Sequence, residues 1–286
     1  LKLQALSKHK AIAADGSLNG RAFAASIIIP LLDQQDEWLD QCLRSALGQT
    51  TPCEVVVVSS PRTRPSNLAL LKSLRSEFVN LRLIRREVLG FPGALNAGFR
   101  AASAERIGLL LSDDWLDPHA VELCLGRDAD IVSSGNQVYA ADGKSIYEDL
   151  GRCPTIEKFL RCETLERKAS CLQHFFLLRK SKLLEIGGAD ESLGDFPGID
   201  DYDMIWVLLE HGASVAIVEQ ALYNYRDHEG ERLSLQPAQK AIAVLERILN
   251  KHSVPASQRE PIRKLHWPWY ERTLHRAYSD LQKTRS

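Results

Sequence analysis

No apolar run in this chain approaches the roughly 18 to 20 residues that cross a bilayer, and its first residues lack the basic-then-apolar order of a secretory leader. Neither a transmembrane anchor nor secretion is expected. The expected setting is the cytoplasm, with peripheral attachment at the inner membrane face as the further option. An excess of charge of one sign is missing too. With 36 basic and 37 acidic residues the formal net charge is -1, so no bulk field draws the chain to nucleic acid or anionic lipid. Cysteine spacings that would signal zinc or a small stapled scaffold are absent. The six cysteines, at 42, 53, 124, 153, 162 and 171, form no C-x-x-C pair and read as reduced and mostly buried. The even spacing of Cys153, Cys162 and Cys171 leaves a disulfide among them as the alternative. No internal repeat or low-complexity tract is apparent.

Apolar residues fill 44% of the 286 positions, enough to bury one large domain or two intimately joined halves. Residues 1–25 are polar and read as an extension. The domain is expected to start at Ser26-Ile27-Ile28-Ile29-Pro30, a short apolar run that reads as a buried strand. Trp38, Leu39, Cys42, Leu43, Ala46 and Leu47 then recur at helical spacing. The alternation continues with a strand at 55–58, a helix at 68–78, a strand at 81–84, a small-residue helix at 94–104 and a strand at 107–111. This pattern predicts an α/β fold with a mainly parallel sheet flanked by helices. Ligands of such sheets bind beyond the carboxyl ends of the strands, so residues 30–33, 59–61 and 112–114 should converge on one crevice. From 117 to about 234 the pattern is less regular, with strands at 131–133, 175–178 and 214–218, a Gly187-Gly188 turn and a helix at 203–210. Residues 236–286 read as helical. Ala238, Ile242, Leu245 and Leu249 form one stripe, 252–257 is a linker, and a last helix starts at Pro268.

Three clusters carry chemistry. Asp113-Asp114 stands at a strand end, where adjacent carboxylates can hold a hard divalent cation; the plainer reading is a solvated turn with a capping aspartate. Asp200-Asp201-Tyr202-Asp203 precedes an apolar helix, whose positive end stabilises a carboxylate able to accept a proton, and capping again is the alternative. Tyr223-Asn224-Tyr225-Arg226-Asp227-His228 offers an arginine suited to phosphate and a histidine suited to a metal, although each type more often serves the surface or the core.

These clusters, in this order and after this opening strand, resemble family 2 glycosyltransferases. The resemblance runs from about 26 to 234. It includes Cys42-Leu43-Arg44-Ser45-Ala46-Leu47-Gly48-Gln49-Thr50, Glu54-Val55-Val56-Val57-Val58, residues 90–98, Ser112-Asp113-Asp114-Trp115, residues 176–188, and Tyr225-Arg226-Asp227-His228 with Leu233-Ser234. It implies an inverting enzyme of the GT-A fold that moves a sugar from a nucleotide-sugar donor to an acceptor hydroxyl, plausibly in glycan synthesis on a glycan or lipid-linked acceptor. It further implies a nucleotide-sugar half at 26–116, with Pro30, Asp33, Ser59, Ser60, Gly93, Asn96, Ser112, Asp113 and Arg226 toward the donor. An acceptor half would occupy 117–235, with Asp201 as catalytic base and Asp200 and Tyr202 on the acceptor side. Asp113, Asp114 and His228 would hold Mn or Mg. Three positions depart from the family's usual pattern: Ser59-Ser60-Pro61 where acidic residues are common, Leu95 for an arginine, and Leu111 for a first aspartate. They point to a divergent donor site.

Two other classes compete with this reading. A catalytically silent sugar- or nucleotide-binding module would have no chemical need of Asp113, Asp114, Asp201 and His228 together. A nucleotidyltransferase would want a Gly-rich basic loop, and the 30–37 segment is acidic and lacks glycine. The basic, aromatic stretch 259–286 could touch a membrane surface, or pack its Tyr270, Leu274, Ala277 and Leu281 stripe on the domain or on a second subunit.

Overall fold

A computed structural model describes residues 17–18, 21–87, 90–145, 154–193, 200–228 and 238–266. A small hairpin, β1 (Ser17–Leu18) with β2 (Arg21–Ala22), precedes the domain. The first half then alternates β3 (Ser26–Leu31), α1 (Asp36–Leu47), β4 (Glu54–Ser59), α2 (Pro65–Glu77), β5 (Leu81–Arg85), α3 (Phe91–Ala101) and β6 (Arg106–Leu109). The second half holds β7 (Trp115–Leu116), α4 (Ala120–Leu125), β8 (Ile131–Ala140), α5 (Ile156–Leu160), α6 (Leu165–Cys171), β9 (Phe176–Arg179), α7 (Lys180–Glu185), α8 (Asp200–Glu210) and β10 (Val215–Asp227). The helix α9 (Ala238–Lys251) follows, and residues 256–266 are helical where the sequence suggested a linker into a later helix. Leu233-Ser234, Cys153 and the helix expected from Pro268 lie outside the described residues.

One eight-stranded sheet runs β5-β4-β3-β6-β9-β8-β10-β7. Its first four strands are parallel, as the alternation predicted. The sheet is more mixed than expected beyond them. β9 enters antiparallel between β6 and β8, and β7 runs antiparallel to β10. Because β9 reverses direction, its leading end lies on the same side of the sheet as the carboxyl ends of β6 and β8.

The two-residue period of the strands divides the core. Ile28, Val56 and Val58 face one layer, with Leu95 and Phe99 of α3, Leu183 of α7, Met204 and Ile205 of α8 and Leu245 of α9. Ile27, Ile29, Val55 and Val57 face the other, with Leu39, Cys42 and Leu43 of α1, Leu71 and Leu74 of α2 and Val121 of α4. The α3 backbone lies so close to β3 that a Cβ on Gly98 would come within 2.3 Å of Ile28 Cγ2. The core also begins before Ser26, since Phe23 and Ala25 are buried. Cys42, Cys53 and Cys124 are buried free thiols, and Cys162 and Cys171 are half-buried free thiols, as the reduced reading expected.

Two polar clusters hold this framework. Glu54, fully buried, accepts from Ser26 Oγ (2.5 Å), Ser103 N (2.8 Å) and Arg82 (2.5 Å); burial pushes its carboxyl up, and these bonds outweigh it and keep the group below its usual value. The second joins α9 to α8. Asp203, 1% exposed, accepts from Lys251 Nζ at 2.7 Å and from His252 Nε2 at 3.0 Å, while His252 Nδ1 meets Glu210 at 2.8 Å. Trp206 stacks on the imidazole, with ring centroids 3.9 Å apart. With a carboxylate on each nitrogen, His252 is held as imidazolium. Burial alone would lower its pKa, and the bonds to Asp203 and Glu210 raise it above the ordinary 6.5.

A group whose folded pKa is raised adds stability that is complete below its unfolded pKa and is lost as pH rises through the folded value. His252→Gln should therefore lower stability by about 2 kcal/mol on the acid side. The gap to the parent should narrow as pH rises from about 6 to about 9 in thermal denaturation; a constant gap would show that the imidazole is neutral.

Candidate active site

The two aspartates between β6 and β7 do different work. Asp114 is 1% exposed, and both of its oxygens face inward. Oδ1 accepts from the Arg226 backbone N–H at 2.7 Å and Oδ2 from the Tyr223 hydroxyl at 2.6 Å. That hydroxyl also accepts from Leu111 N at 3.2 Å, and burial followed by the charge of Asp114 pushes its pKa well up, so it stays a donor. Asp114 thus pins β10 to the β6–β7 turn. Its predicted place among the metal ligands is corrected: the carboxylate is buried, with a protein donor on each oxygen. Asp113 is the available one. Its side chain is 22% exposed, and Oδ2 lies 3.1 Å from Nε2 of His228, whose ring packs on Trp38 at 4.6 Å.

Arg226 requires a second correction. The sequence placed its guanidinium on the donor, yet the residue is 4% exposed and sits between Trp38 and Trp115, 5.0 and 4.7 Å from the two rings. Nε donates to Asp113 O at 3.0 Å, Nη1 to Ala141 O at 3.4 Å, and Nη2 to Gln41 Oε1. The arginine therefore fixes the main chain beneath Asp113 rather than reaching a ligand.

Other donor-side expectations divide the same way. The Ser59 hydroxyl, 1% exposed, donates to Ile84 O at 3.3 Å inside the sheet. Asn96 is 4% exposed; its amide accepts from Ala189 N at 2.8 Å and donates to Ala189 O and Glu191, both at 2.9 Å. Gly188, at φ +81°, leaves room for it, since a Cβ there would fall 2.2 Å from Asn96 Oδ1. Ser59 and Asn96 are thus structural, because burial and protein partners engage their polar atoms. Pro30 and Gly93 are buried backbone positions, Pro30 near the end of β3 and Gly93 in the first turn of α3 under the Arg86 guanidinium. Ser60 braces its loop through Leu32 O at 3.2 Å. Asp33 is exposed at the end of β3 but meets Arg64 at 2.5 and 2.8 Å, a two-pronged pair that holds its carboxyl below the usual value. Ser112 stays half-exposed beside Asp113.

Across the carboxyl ends, Asp201 lies in the first turn of α8, its side chain 25% exposed. Oδ1 accepts from Tyr202 N at 2.9 Å and Oδ2 meets His174 Nε2 at 2.8 Å. Burial pushes the carboxyl up, but the hydrogen bonds from His174 and from the Tyr202 backbone outweigh it and hold it below the ordinary aspartate value. Tyr202, expected on the acceptor side, points inward instead; it is 9% exposed and its hydroxyl donates to buried Glu166 at 3.0 Å. The side chain of Asp200 lies outside the described residues.

The sequence assigns no site role to Tyr223, Trp38 or Trp115, and does not mark His174 at all. The aromatic content of the 223–228 cluster was a usable signal for Tyr223, whereas His174 belongs to no motif and becomes visible only through its contact. Among the described residues no group of three or more His, Cys, Asp or Glu side chains forms a metal cage. Asp113, beside His228, still fits a cation of the magnesium type, which is held through one or two carboxylates together with substrate phosphates and water. No helix among the described residues is long and apolar enough to cross a membrane.

Comparison with known proteins adds a second line. The family profile described as Glycosyl transferase family 2 matches residues 26–187. The O-antigen biosynthesis protein RfbC of Myxococcus xanthus is 25% identical over 205 residues, covering 71% of this chain and 16% of that protein. Hyaluronan synthase of Pasteurella multocida is 32% identical over 111 residues, covering 39% of this chain and 11% of that protein. The chain thus spans a small part of the length of these curated relatives. The crystal structure of S. aureus TarS 1-349 in complex with UDP-GlcNAc shares the fold, with a TM-score of 0.62 at 16% identity over 90% of this chain and 73% of that one.

The split between the two aspartates is testable by calorimetry. Asp114→Asn should cost about 1 to 3 kcal/mol of stability, because it disturbs a buried acceptor of two donors. Asp113→Asn, half-exposed, should stay within about 0.5 kcal/mol of the parent. Equal losses would remove the distinction.

Proposed function

Because the chain belongs to glycosyl transferase family 2, we propose that it moves a sugar from a nucleotide-sugar donor to an acceptor hydroxyl, with inversion at the anomeric carbon. The observation that carries this reading is the placement of two carboxylates of opposite task over one end of the sheet. Asp113, paired with His228, suits the diphosphate; Asp201, held ionised at a helix N-terminus, suits a proton acceptor.

The step follows from that placement. Asp201 takes the proton of the acceptor hydroxyl as its oxygen attacks the anomeric carbon. The new C–O bond forms on the face opposite the bond that breaks, and the old bond's electron pair leaves with the nucleoside diphosphate. A single displacement inverts the centre and needs no glycosyl-enzyme intermediate, unlike the double displacement of retaining enzymes. Asp113 and His228 would hold a divalent cation, Mn or Mg, whose positive charge would offset the charge that grows on the leaving diphosphate. The Arg226 guanidinium is engaged within the protein, so stabilisation of the leaving group falls to that site.

The UDP-GlcNAc complex of the TarS neighbour and the polysaccharide-forming relatives support a nucleotide-sugar donor and a glycan or lipid-linked acceptor. The donor contacts expected of Ser59, Asn96 and Arg226 are replaced here by internal bonds, so the nucleotide is to be found by experiment. A thermal-shift panel of nucleoside diphosphates and nucleotide sugars, each with and without Mn or Mg, is the direct test. One nucleotide class should raise the melting temperature only with metal, and Asp113→Ala should abolish that shift. Asp201→Asn should keep the shift and lose turnover by about 100-fold or more. Metal-independent binding that survives Asp113→Ala would sink the assignment of Asp113.

A further inference from the structure

We propose that His174 is the positioning residue of Asp201, donating from Nε2 to Oδ2 so that the carboxylate is aimed and ionised before substrate arrives. The proposal deepens the site reading above and rests on Asp201 as the base.

Three observations carry it. The first is the contact itself, 2.8 Å between nitrogen and oxygen in a partly buried pair whose side chains are 22% and 25% exposed. With Tyr202 N on Oδ1 at 2.9 Å, each carboxylate oxygen receives one donor, and the plane of the group is set. The remaining lone pairs are left for a substrate proton.

The second is the state of the other ring nitrogen. Nδ1 of His174 is buried and has no hydrogen-bond partner. An imidazolium would place a charged N–H there with no acceptor, a larger penalty than an unused lone pair. The ring is therefore the neutral Nε2–H tautomer. It donates to the carboxylate and cannot draw a second proton without cost, so it fixes the direction of the bond. A merely structural histidine would be expected to satisfy both nitrogens, as His252 does.

The third is the way the ring is held. The hydroxyls of Ser133 and Ser134, fully buried on β8, take the place of ladder bonds on either side of it. Gln173 N donates to Ser133 Oγ at 2.9 Å, Ser133 Oγ donates to Gln173 O at 2.7 Å, and Phe175 N donates to Ser134 Oγ at 2.9 Å. The ring then lies against Phe176 at 4.7 Å and Tyr223 at 5.1 Å. Tyr223 is also the residue that grips Asp114. One aromatic thus backs both the proton-accepting side and the diphosphate side, which ties the spacing of the two carboxylate sites to a packed core rather than to a loop. Support of this kind is what keeps a reacting group in register.

The test begins on the full chain without ligand. Carbon-13 carboxyl titration should find Asp201 below the ordinary aspartate range in the parent. His174→Phe, which fills the space without a donor, should raise its midpoint by about one pH unit, and His174→Gln, which places an amide donor near the position of Nε2, should return most of that shift. Nitrogen-15 spectra of the parent should show the neutral Nε2–H form, with a change on Asp201→Asn. This measurement needs no folded His174 variant.

Turnover is then read as nucleoside diphosphate release from whichever nucleotide sugar gives the metal-dependent thermal shift. His174→Phe should lower kcat by about 10- to 100-fold, move the acid limb of the pH profile upward, and leave KM for the donor unchanged; His174→Gln should recover most of kcat. An unmoved Asp201 midpoint in His174→Phe, or a Nδ1–H tautomer in the parent, overturns the role of His174 while leaving Asp201 as base intact. Full turnover by Asp201→Asn overturns the base reading instead, and this proposal with it.

Discussion

Asp114 is the constraint on which the site depends. A carboxylate 1% exposed is tolerated only if its oxygens meet donors, and the donors here are the Tyr223 hydroxyl and the Arg226 backbone, both on β10. Satisfying Asp114 therefore forces the last strand against the turn that follows β6. The short β7–β10 pairing, Tyr223 with Leu116 and Asn224 with Trp115, continues that contact. Register shifts earlier in β10, around Ala221, free the strand to turn Tyr223 inward before it reaches the site.

From that contact the two sides of the crevice are built. Asp113 stands one residue before Asp114 and is carried by the same turn, so its exposure follows from its neighbour's burial. Arg226 then sits in the space left between Trp38 and Trp115, and its guanidinium holds the Asp113 carbonyl. A positive group so placed supports the local field without touching a ligand. Burial lowers its pKa from the free value, and Asp114 and Asp113 oppose the shift. On the other side, α8 carries Asp201 at its start and Asp203 two residues further on. The Asp203 cluster with Lys251 and His252 keeps α8 seated against α9, so Asp201, the proposed proton acceptor, stands on an anchored helix.

How much of this was legible depended on range. The parallel strands β3 and β4 were readable because each buries both faces and so appears as a nearly continuous apolar run. β8 was read as three residues and is ten, because Ser134 and Asn136 look like a loop until residues 173–175 supply their partners. The helices α4 to α7 are too short to show a helical period. The antiparallel entry of β9 was hidden for another reason: periodicity locates a strand but carries no direction.

What the sequence by itself determined is local: apolar periods that set strands, helices and the two-layer core, and carboxylates placed at a strand end and a helix start, where polar backbone ends and a dipole favour them. It marked Asp113 with Asp114, Asp201 and His228 as the chemical residues without ranking them. Tertiary structure alone decided that Asp114 and Arg226 face inward, that Asp113 stays partly exposed, and that an unflagged histidine reaches Asp201. The physical reason is that burial and hydrogen-bond partnership are properties of contacts between residues far apart in the chain. Asp114 and its partners Tyr223 and Arg226 are separated by 109 and 112 positions, and nothing in the identity of an aspartate records which of two neighbours such partners will claim.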